Sequence, residues 1–172
     1  MIIDAVIPLL LEHGRDVTSR QIADAAGVAE GTIFRAFGDK DSLIEAAIAR
    51  FLDPEPLRRA LTLIDPELTL EQKVNDILFH LRSRFTGVMG IMSAMGMRER
   101  PPGMPDPQQG MRLIASVLES EAPRLRIPPE EAAYIIRMIA FAVSISAFND
   151  THPLGTTELA AFIVHGIGNG KQ

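Results

Sequence analysis

The stretch VTSRQIADAAGVAEGTIFRAFGDKDSL, residues 17–43, constrains the fold of this chain more than any other. It predicts two short helices joined by one glycine turn. Thr18 is a good N-cap for the first helix, and Gln21, three residues later, can reach back to close a capping box. Gly27 can adopt the left-handed conformation that ends a helix. We therefore expect a short helix after Thr18, a turn at Gly27, and a second helix over residues 30–37.

The second of these helices is predicted to have one buried face and one exposed face. Ile33 and Phe37 would point inward at helical spacing. The outer face would then carry Glu30, Gly31, Thr32, Phe34 and Arg35. Such a pair of helices is typical of a helix-turn-helix, in which the second helix fits a DNA major groove.

The chain up to about residue 50 resembles the DNA-binding domain of the tetracycline-repressor (TetR-type) family of bacterial transcription regulators. The resemblance covers the opening helix IIDAVIPLLLEHG, Thr18, the segment AGVAEGTIFRAF, and the DKDSL that begins a fourth helix. It implies an all-α fold of about nine helices. A three-helix DNA-binding domain would occupy residues 1–52, and a ligand-binding and dimerisation domain would occupy residues 53–172. The implied partners are a double-stranded DNA operator, a small-molecule effector and a second copy of the chain.

The resemblance also implies which residues contact DNA: Thr18, Arg20, Gly31, Thr32, Phe34, Arg35 and Lys40. Elementary chemistry agrees for several of them. Arg20 could make a bidentate contact to guanine, and Thr32 offers a hydroxyl for base edges and a methyl for thymine. Lys40 follows Asp39, a good N-cap, so its ammonium would lie beside a helix N-terminus that also favours a phosphate oxygen. Glu30 is a further candidate, because a carboxylate can accept a hydrogen bond from cytosine.

The predicted DNA-binding domain is acidic. Residues 1–52 contain five Lys and Arg against eight Asp and Glu, a net charge of −3. Affinity for DNA depends largely on neutralising phosphates. An alternative therefore stays open, in which the chain is a helical small-molecule-binding protein that has lost its affinity for DNA.

The rest of the chain predicts helices separated by prolines and glycines, without strand-like alternation. The prolines at positions 54 and 56 predict a hinge, and Thr69 can cap a long helix. Helical spacing predicts helices over residues 57–64, 69–86, 87–97 (weak because of its glycines), 108–121, 129–150 and 156–166, with a loop over residues 98–107.

The last two predicted helices indicate a dimer. Residues 132–148 are apolar nearly all the way round, so this helix must be covered on more than one side. Its cover could be neighbouring helices of the same chain or a second copy, and the resemblance favours a two-fold homodimer. Ala140 and Ile163 are candidate positions at the dimer seam.

Methionines in the middle of the chain suggest a ligand site. Met89, Met92 and Met95 recur every third residue and share one helix face. Flexible, polarizable methionines can fill a core or line an adaptable apolar pocket, and the resemblance favours the pocket. The candidate ligand-binding residues are Phe85, Met89, Met92, Met95, Tyr134, Arg137, Met138 and Phe141.

Nothing in the sequence predicts an enzyme. The chain has no cysteine, its four histidines show no metal-ligand spacing, and no nucleophile elbow or phosphate loop is present. His152, near Asn149 and Asp150, is better explained by a helix-ending loop than by a metal site. We expect no cofactor, no metal and no membrane association, because the apolar run of residues 132–148 is short for a membrane span. The resulting expectation is a cytoplasmic transcriptional regulator, most simply a repressor released by a small apolar effector.

Overall fold

The structure, a computed structural model, describes residues 2–97, 106–145 and 153–167. These residues form nine α-helices and no β-strand, which confirms the predicted all-α class. The helices are α1 (Ile2–His13), α2 (Ser19–Ala26), α3 (Glu30–Phe37), α4 (Lys40–Phe51), α5 (Glu55–Thr62), α6 (Leu70–Ala94), α7 (Pro107–Leu118), α8 (Pro129–Ala142) and α9 (Thr156–Ile167). Short 3-10 helices cover Gly14–Asp16 and Glu119–Arg124. In the part of the chain just described, no helix is both long and apolar enough to cross a membrane.

The chain divides into two compact units. The first contains residues 1–53 and 87–104, and the second contains residues 54–86 and 105–172. One boundary therefore falls inside α6, whose last turns belong to the first unit. A single boundary after residue 52 does not describe this packing, because Val88, Ile91 and Met95 are buried in the core of the first unit.

The core of the first unit is built from one apolar face of each of its helices. Val6 and Leu10 of α1 are fully buried, as are Ile22 of α2, Ile33 of α3 and Leu43 of α4. Helices α1 to α4 and the end of α6 thereby share one core, which fixes the outward direction of α3.

Helix α6 is continuous through the glycines at which the sequence predicts a break. Its 25 residues include Gly87 and Gly90. A Cβ on Gly87 would lie 2.8 Å from Cζ of Phe51, and one on Gly90 would lie 3.0 Å from Cδ2 of Leu11. These glycines therefore allow close packing within the first unit rather than ending the helix, which corrects the prediction of two separate helices.

The second unit has its own core and a buried ion pair. Leu78 of α6 and Ile136 of α8 are fully buried in that core. Ala140 and Ile163 are buried there too, 0% and 3% exposed, so both are interior positions. Their assignment to a dimer seam was wrong because sequence periodicity does not distinguish the side of an apolar helix that faces its own chain.

The buried ion pair joins α6 to the 3-10 helix that follows α7. Nζ of Lys73 lies 2.6 Å from Oε1 of Glu121 and 3.1 Å from Oγ of Ser120, and Nη1 of Arg124 lies 3.1 Å from Oε2 of Glu121. Burial alone would raise the pKa of Glu121, but the hydrogen bonds from Lys73 and Arg124 lower that pKa below its ordinary value. The pair fixes the beginning of α6 against a segment distant in sequence.

The predicted C-terminal ends of two helices differ from those in the structure. Helix α7 ends at Leu118 and continues as a 3-10 helix that contains Pro123, whereas a single helix to residue 121 was expected. Helix α8 ends at Ala142. Residues 143–145 are not helical, so the predicted extension of that helix fails there. The rest of the predicted extension, residues 146–150, and the group Asn149, Asp150 and His152 lie outside the described residues.

Candidate nucleic-acid interface

The turn between α2 and α3 is fixed by local hydrogen bonds. Thr18 and Gln21 form the predicted capping box: the Gln21 N–H donates to Oγ1 of Thr18 over 3.2 Å, and the Thr18 N–H donates to Oε1 of Gln21 over 2.8 Å. Gly27 has a φ of 66°, and its N–H donates to the carbonyls of Ala23 and Asp24. The short helices therefore begin and turn where the sequence predicts, for the predicted reasons.

Helix α3 presents a surface that we call the reading face. It consists of Glu30, Gly31, Thr32, Phe34 and Arg35, all of which are exposed. Behind this face Ile33 is fully buried and Phe37 is partly buried against the core. Phe34 is 45% exposed, so a large apolar ring lies in solvent among small and polar neighbours. The predicted division of α3 into inner and outer residues is confirmed.

Two arginines near this face are available to a partner. Arg20 on α2 and Arg35 on α3 are exposed and make no hydrogen bond or ion pair with any residue that the structure describes. A guanidinium has five donors in a planar fork, which matches a phosphate or the edge of guanine.

Thr18 and Lys40 are engaged within the protein. The Thr18 hydroxyl donates to Oε1 of Gln21 over 2.8 Å, in addition to accepting the Gln21 N–H. Nζ of Lys40 donates to the carbonyls of Val17 and Arg15 over 3.0 and 3.3 Å. An ammonium has three donors, so one N–H of Lys40 stays available to a phosphate. The sequence did not predict these carbonyl contacts, because Lys40 and Arg15 are 25 residues apart.

The acidic residues beside the interface have structural roles. Glu30 is in the first turn of α3, whose N-cap residue Ala29 provides no side-chain hydrogen bond. A carboxylate there interacts favourably with the helix dipole and partly replaces the missing cap. Asp39 caps α4 by accepting the Ser42 N–H over 2.7 Å, and this bond lowers the pKa of Asp39. Part of the negative charge of the first unit therefore stabilises helix ends.

The candidate ligand-binding residues fall into different compact units. Met89, Met92 and Met95 are in the first unit, where Met95 is buried in the core and Met92 packs against it. The remaining candidates are in the second unit: Phe85, Tyr134, Arg137, Met138 and Phe141. For Met92 and Met95 the structure agrees with the alternative of core filling.

One group of these residues forms an aromatic and cationic cluster in the second unit. The rings of Phe85 and Phe141 are nearly perpendicular, 86°, with centroids 5.6 Å apart. Cζ of Arg137 lies 5.5 Å from the centroid of Phe85. Among the residues with described positions, no group of three His, Asp or Glu side chains is placed to hold a metal ion.

Comparison with known proteins agrees with this architecture. Residues 2–47 match the family model described as bacterial regulatory proteins of the tetR family. An uncharacterized HTH-type transcriptional regulator, YvkB, from Bacillus subtilis (strain 168) is 44% identical over 50 residues. That similarity covers 28% of this chain and only 26% of YvkB.

Solved structures extend the similarity to the whole chain at the level of fold. A TetR transcription regulator from Haloarcula marismortui has a TM-score of 0.66 at 17% identity, covering 98% of this chain and 96% of that one. The TetR transcriptional regulator SCO0520 from Streptomyces coelicolor has a TM-score of 0.65 at 20% identity, covering 99% and 98%. All three of these proteins are described as transcription regulators. Residues 2–47 are therefore similar to the N-terminal domain of the tetR family, and the chain as a whole shares its fold with these two regulators.

Proposed function

We propose that this protein is a cytoplasmic transcription regulator that binds duplex DNA through the reading face of α3. The observation that carries the proposal is the exposed set of residues on α3, held outward by the buried Ile33 and by the capped turn before it. Gly31 has no atom within 4 Å of where a Cβ would lie, so a duplex could approach the backbone of α3 closely. Folding alone gives no reason to expose Phe34, whereas an apolar ring can contact a thymine methyl.

Arg20 and Arg35 would supply the charged contacts. Both guanidinium groups are exposed and free of protein partners among the described residues, so neither must break a bond to reach DNA. Lys40 can add one N–H to a phosphate while its other bonds hold the turn before α2. Because these cations are few, the electrostatic part of the affinity for DNA should be modest. Shape complementarity and contacts to bases should then contribute a larger share of that affinity.

Two copies of the chain are proposed to act together. Helices α8 and α9 expose large apolar side chains that we call the apolar face: Tyr134, Met138, Phe141 and Phe162, which are 54%, 50%, 47% and 73% exposed. Tyr134, Met138 and Phe141 are spaced by four and three residues, so they lie on one side of α8. Exposed apolar groups of this kind favour a protein interface, and a two-fold dimer would present two copies of α3 to half-sites about one DNA turn apart.

The proposed regulation is repression released by a small apolar effector. Its support is the family fold and the cluster of Phe85, Phe141 and Arg137 in the second unit. An effector that binds better to the DNA-incompetent arrangement must weaken operator binding, and operator must weaken effector binding by the same factor.

Selection from a random duplex pool tests DNA binding directly. We expect enrichment of a two-fold symmetric site, followed by a fall of log affinity with log salt. Arg20→Ala should then cost roughly 1 to 3 kcal/mol and relax preference at one base position. Arg58→Ala is the matched control, because Arg58 is an exposed arginine of the second unit that pairs with Glu55. If no sequence is enriched and Arg20→Ala changes nothing, the alternative of a helical small-molecule-binding protein replaces the regulator.

A further inference from the structure

A cavity is lined only by residues of the first unit, and none of them belongs to α3. Its volume is about 600 Å³. We call it the α4 cavity, and it is lined by Arg15, Asp41, Ile44, Glu45, Ile48, Ala49, Met95 and Met97. None of these residues belongs to the reading face or to the candidate ligand-binding set except Met95.

The inner wall of the α4 cavity is apolar and well ordered by packing. Ile44 and Ile48 lie one turn apart on α4 and are 5% and 8% exposed, and Met95 is 6% exposed. The carbonyl of Met95 accepts a hydrogen bond from Nε of Arg15 over 3.2 Å, which ties the end of α6 to the segment after α1. Only small parts of these three buried side chains therefore face the cavity, and the exposed Ala49 and the partly buried Met97 supply the rest of its apolar lining.

The rim of the α4 cavity carries more negative than positive charge. Asp41 and Glu45 are four residues apart on α4, so they lie on the same side of the helix. Both are exposed and have no ion pair or hydrogen-bond partner among the described residues. Arg15 is the one cation of the lining, and the hydrogen bond from its Nε to the carbonyl of Met95 leaves its charge in place, so the lining carries a net charge of −1.

The geometry points to a binding site for a small organic cation with an apolar body. A cationic head near Asp41 and Glu45 would gain two attractive contacts, while an aryl or alkyl body would lie against Ala49, Met97 and the small exposed parts of the buried residues. An anion of the same shape would face two carboxylates and one guanidinium, so it should bind less well than the cation. A neutral ligand would gain the apolar contacts alone. This site does not depend on DNA binding by α3.

Methyl NMR of the full chain labelled with ¹³C-methyl methionine tests the site. Benzyltrimethylammonium is the probe, with neopentylbenzene as its neutral isostere and 3-phenylpropionate as an anion of similar size. We expect the cation to shift the Met95 and Met97 methyl signals in a saturable way. The Met138 signal, which reports on the second unit, should stay unchanged.

The double variant Asp41→Asn, Glu45→Gln tests the charge. Removing two exposed carboxylate contacts should weaken binding of the cation about ten-fold. The matched control is Glu12→Gln with Asp24→Asn, which removes the same charge from exposed positions of the same unit outside the cavity. That control should leave the affinity within about two-fold, since it changes only long-range electrostatics.

A third variant tests the position of the site. Ala49 is exposed and lines the cavity, so Ala49→Arg can fold while placing bulk and positive charge where the ligand would lie. It should abolish the shifts of Met95 and Met97. Equal binding of neopentylbenzene and the cation, unchanged affinity in the Asp41→Asn, Glu45→Gln variant, or no saturable shift with any cation would each overturn the inference.

Discussion

The helix-turn-helix of the first unit and the interior of the second unit differ in how far apart in sequence their stabilising partners lie. The turn of the first unit is fixed by neighbours three residues apart, Thr18 with Gln21 and Asp39 with Ser42. The second unit depends on partners such as Lys73 and Glu121, 48 residues apart, and Arg82 and the Leu154 carbonyl, 72 apart. The difference teaches that a surface built on local caps can be predicted from sequence, whereas one built on distant partners cannot.

The exposed surfaces of the two units also differ in chemical character. The reading face of α3 combines small, polar and charged residues with one exposed ring, which suits a polar partner such as DNA. The apolar face of α8 and α9 exposes three aromatic rings and one thioether, which suits a second copy of the chain. Each of the following substitutions tests one side of this comparison.

The largest expected effect is on the long-range ion pair of the second unit. Lys73→Met leaves the carboxylate of Glu121 buried with only Arg124 as a charged partner, so we expect a loss of about 3 to 5 kcal/mol in the free energy of unfolding, measured in urea. The double variant Lys73→Met, Glu121→Leu should lose less than Lys73→Met alone, because it leaves no buried charge. A double variant no more stable than the single one would contradict this account.

The same pair predicts the pH dependence of stability. The folded-state pKa of Glu121 is lowered, so its contribution is complete above the pKa of an unfolded glutamate. That contribution is lost as the pH falls toward the folded pKa. Acid titration of stability should therefore show a smaller fall in the Lys73→Met variant than in the original chain.

The next effect is on assembly through the apolar face. Phe162→Glu replaces a ring that is 73% exposed with a carboxylate, so the monomer should fold while the proposed dimer dissociates. Affinity for a two-fold DNA site should then fall by about 100-fold or more, since two linked half-sites bind far more tightly than one. Light scattering and DNA titration check both results.

Two controls separate assembly from folding. Phe79→Glu changes an exposed ring on α6, outside the apolar face, and should leave the dimer intact. Ala140→Glu changes a fully buried position and should unfold the second unit instead of producing a folded monomer. A native chain that is monomeric at micromolar concentration would remove the dimer from the proposal.

Two glycines of the first unit should respond in opposite directions. Gly14 has a φ of 59°, and a Cβ there would lie 2.6 Å from the carbonyl oxygen of Ala94, so Gly14→Ala should cost about 2 kcal/mol of stability. Gly31 is helical with open space around it, so Gly31→Ala should stabilise the fold by roughly 0.5 to 1 kcal/mol. The Gly31 variant should nevertheless bind DNA less well, because its added methyl would face the duplex.

The smallest effects compare two capping boxes, one in each unit. Thr69 and Gln72 at the start of α6 repeat the arrangement of Thr18 and Gln21. Thr18→Ala and Thr69→Ala should each cost about 1 kcal/mol of stability by thermal or urea unfolding. Only Thr18→Ala should also weaken DNA binding, since it loosens the helix that precedes the reading face. An equal loss of DNA affinity in both variants would indicate a general effect of stability.

The sequence by itself determined the helix-turn-helix. Thr18, Gln21, Gly27 and Asp39 act through hydrogen bonds within one helical turn, and the spacing of Ile33 and Phe37 fixed which side of α3 faces outward. These interactions are local, so residue identity and order are sufficient to predict them.

Only the tertiary structure decided the rest. It placed Met95 in the core of the first unit, buried Ala140 and Ile163 inside their own chain, and engaged Lys40 with the carbonyls of residues 15 and 17. It also made Gly87 a packing position within a continuous helix. The physical reason is that helical periodicity states which residues share a face, whereas the partner of that face depends on contacts between segments distant along the chain.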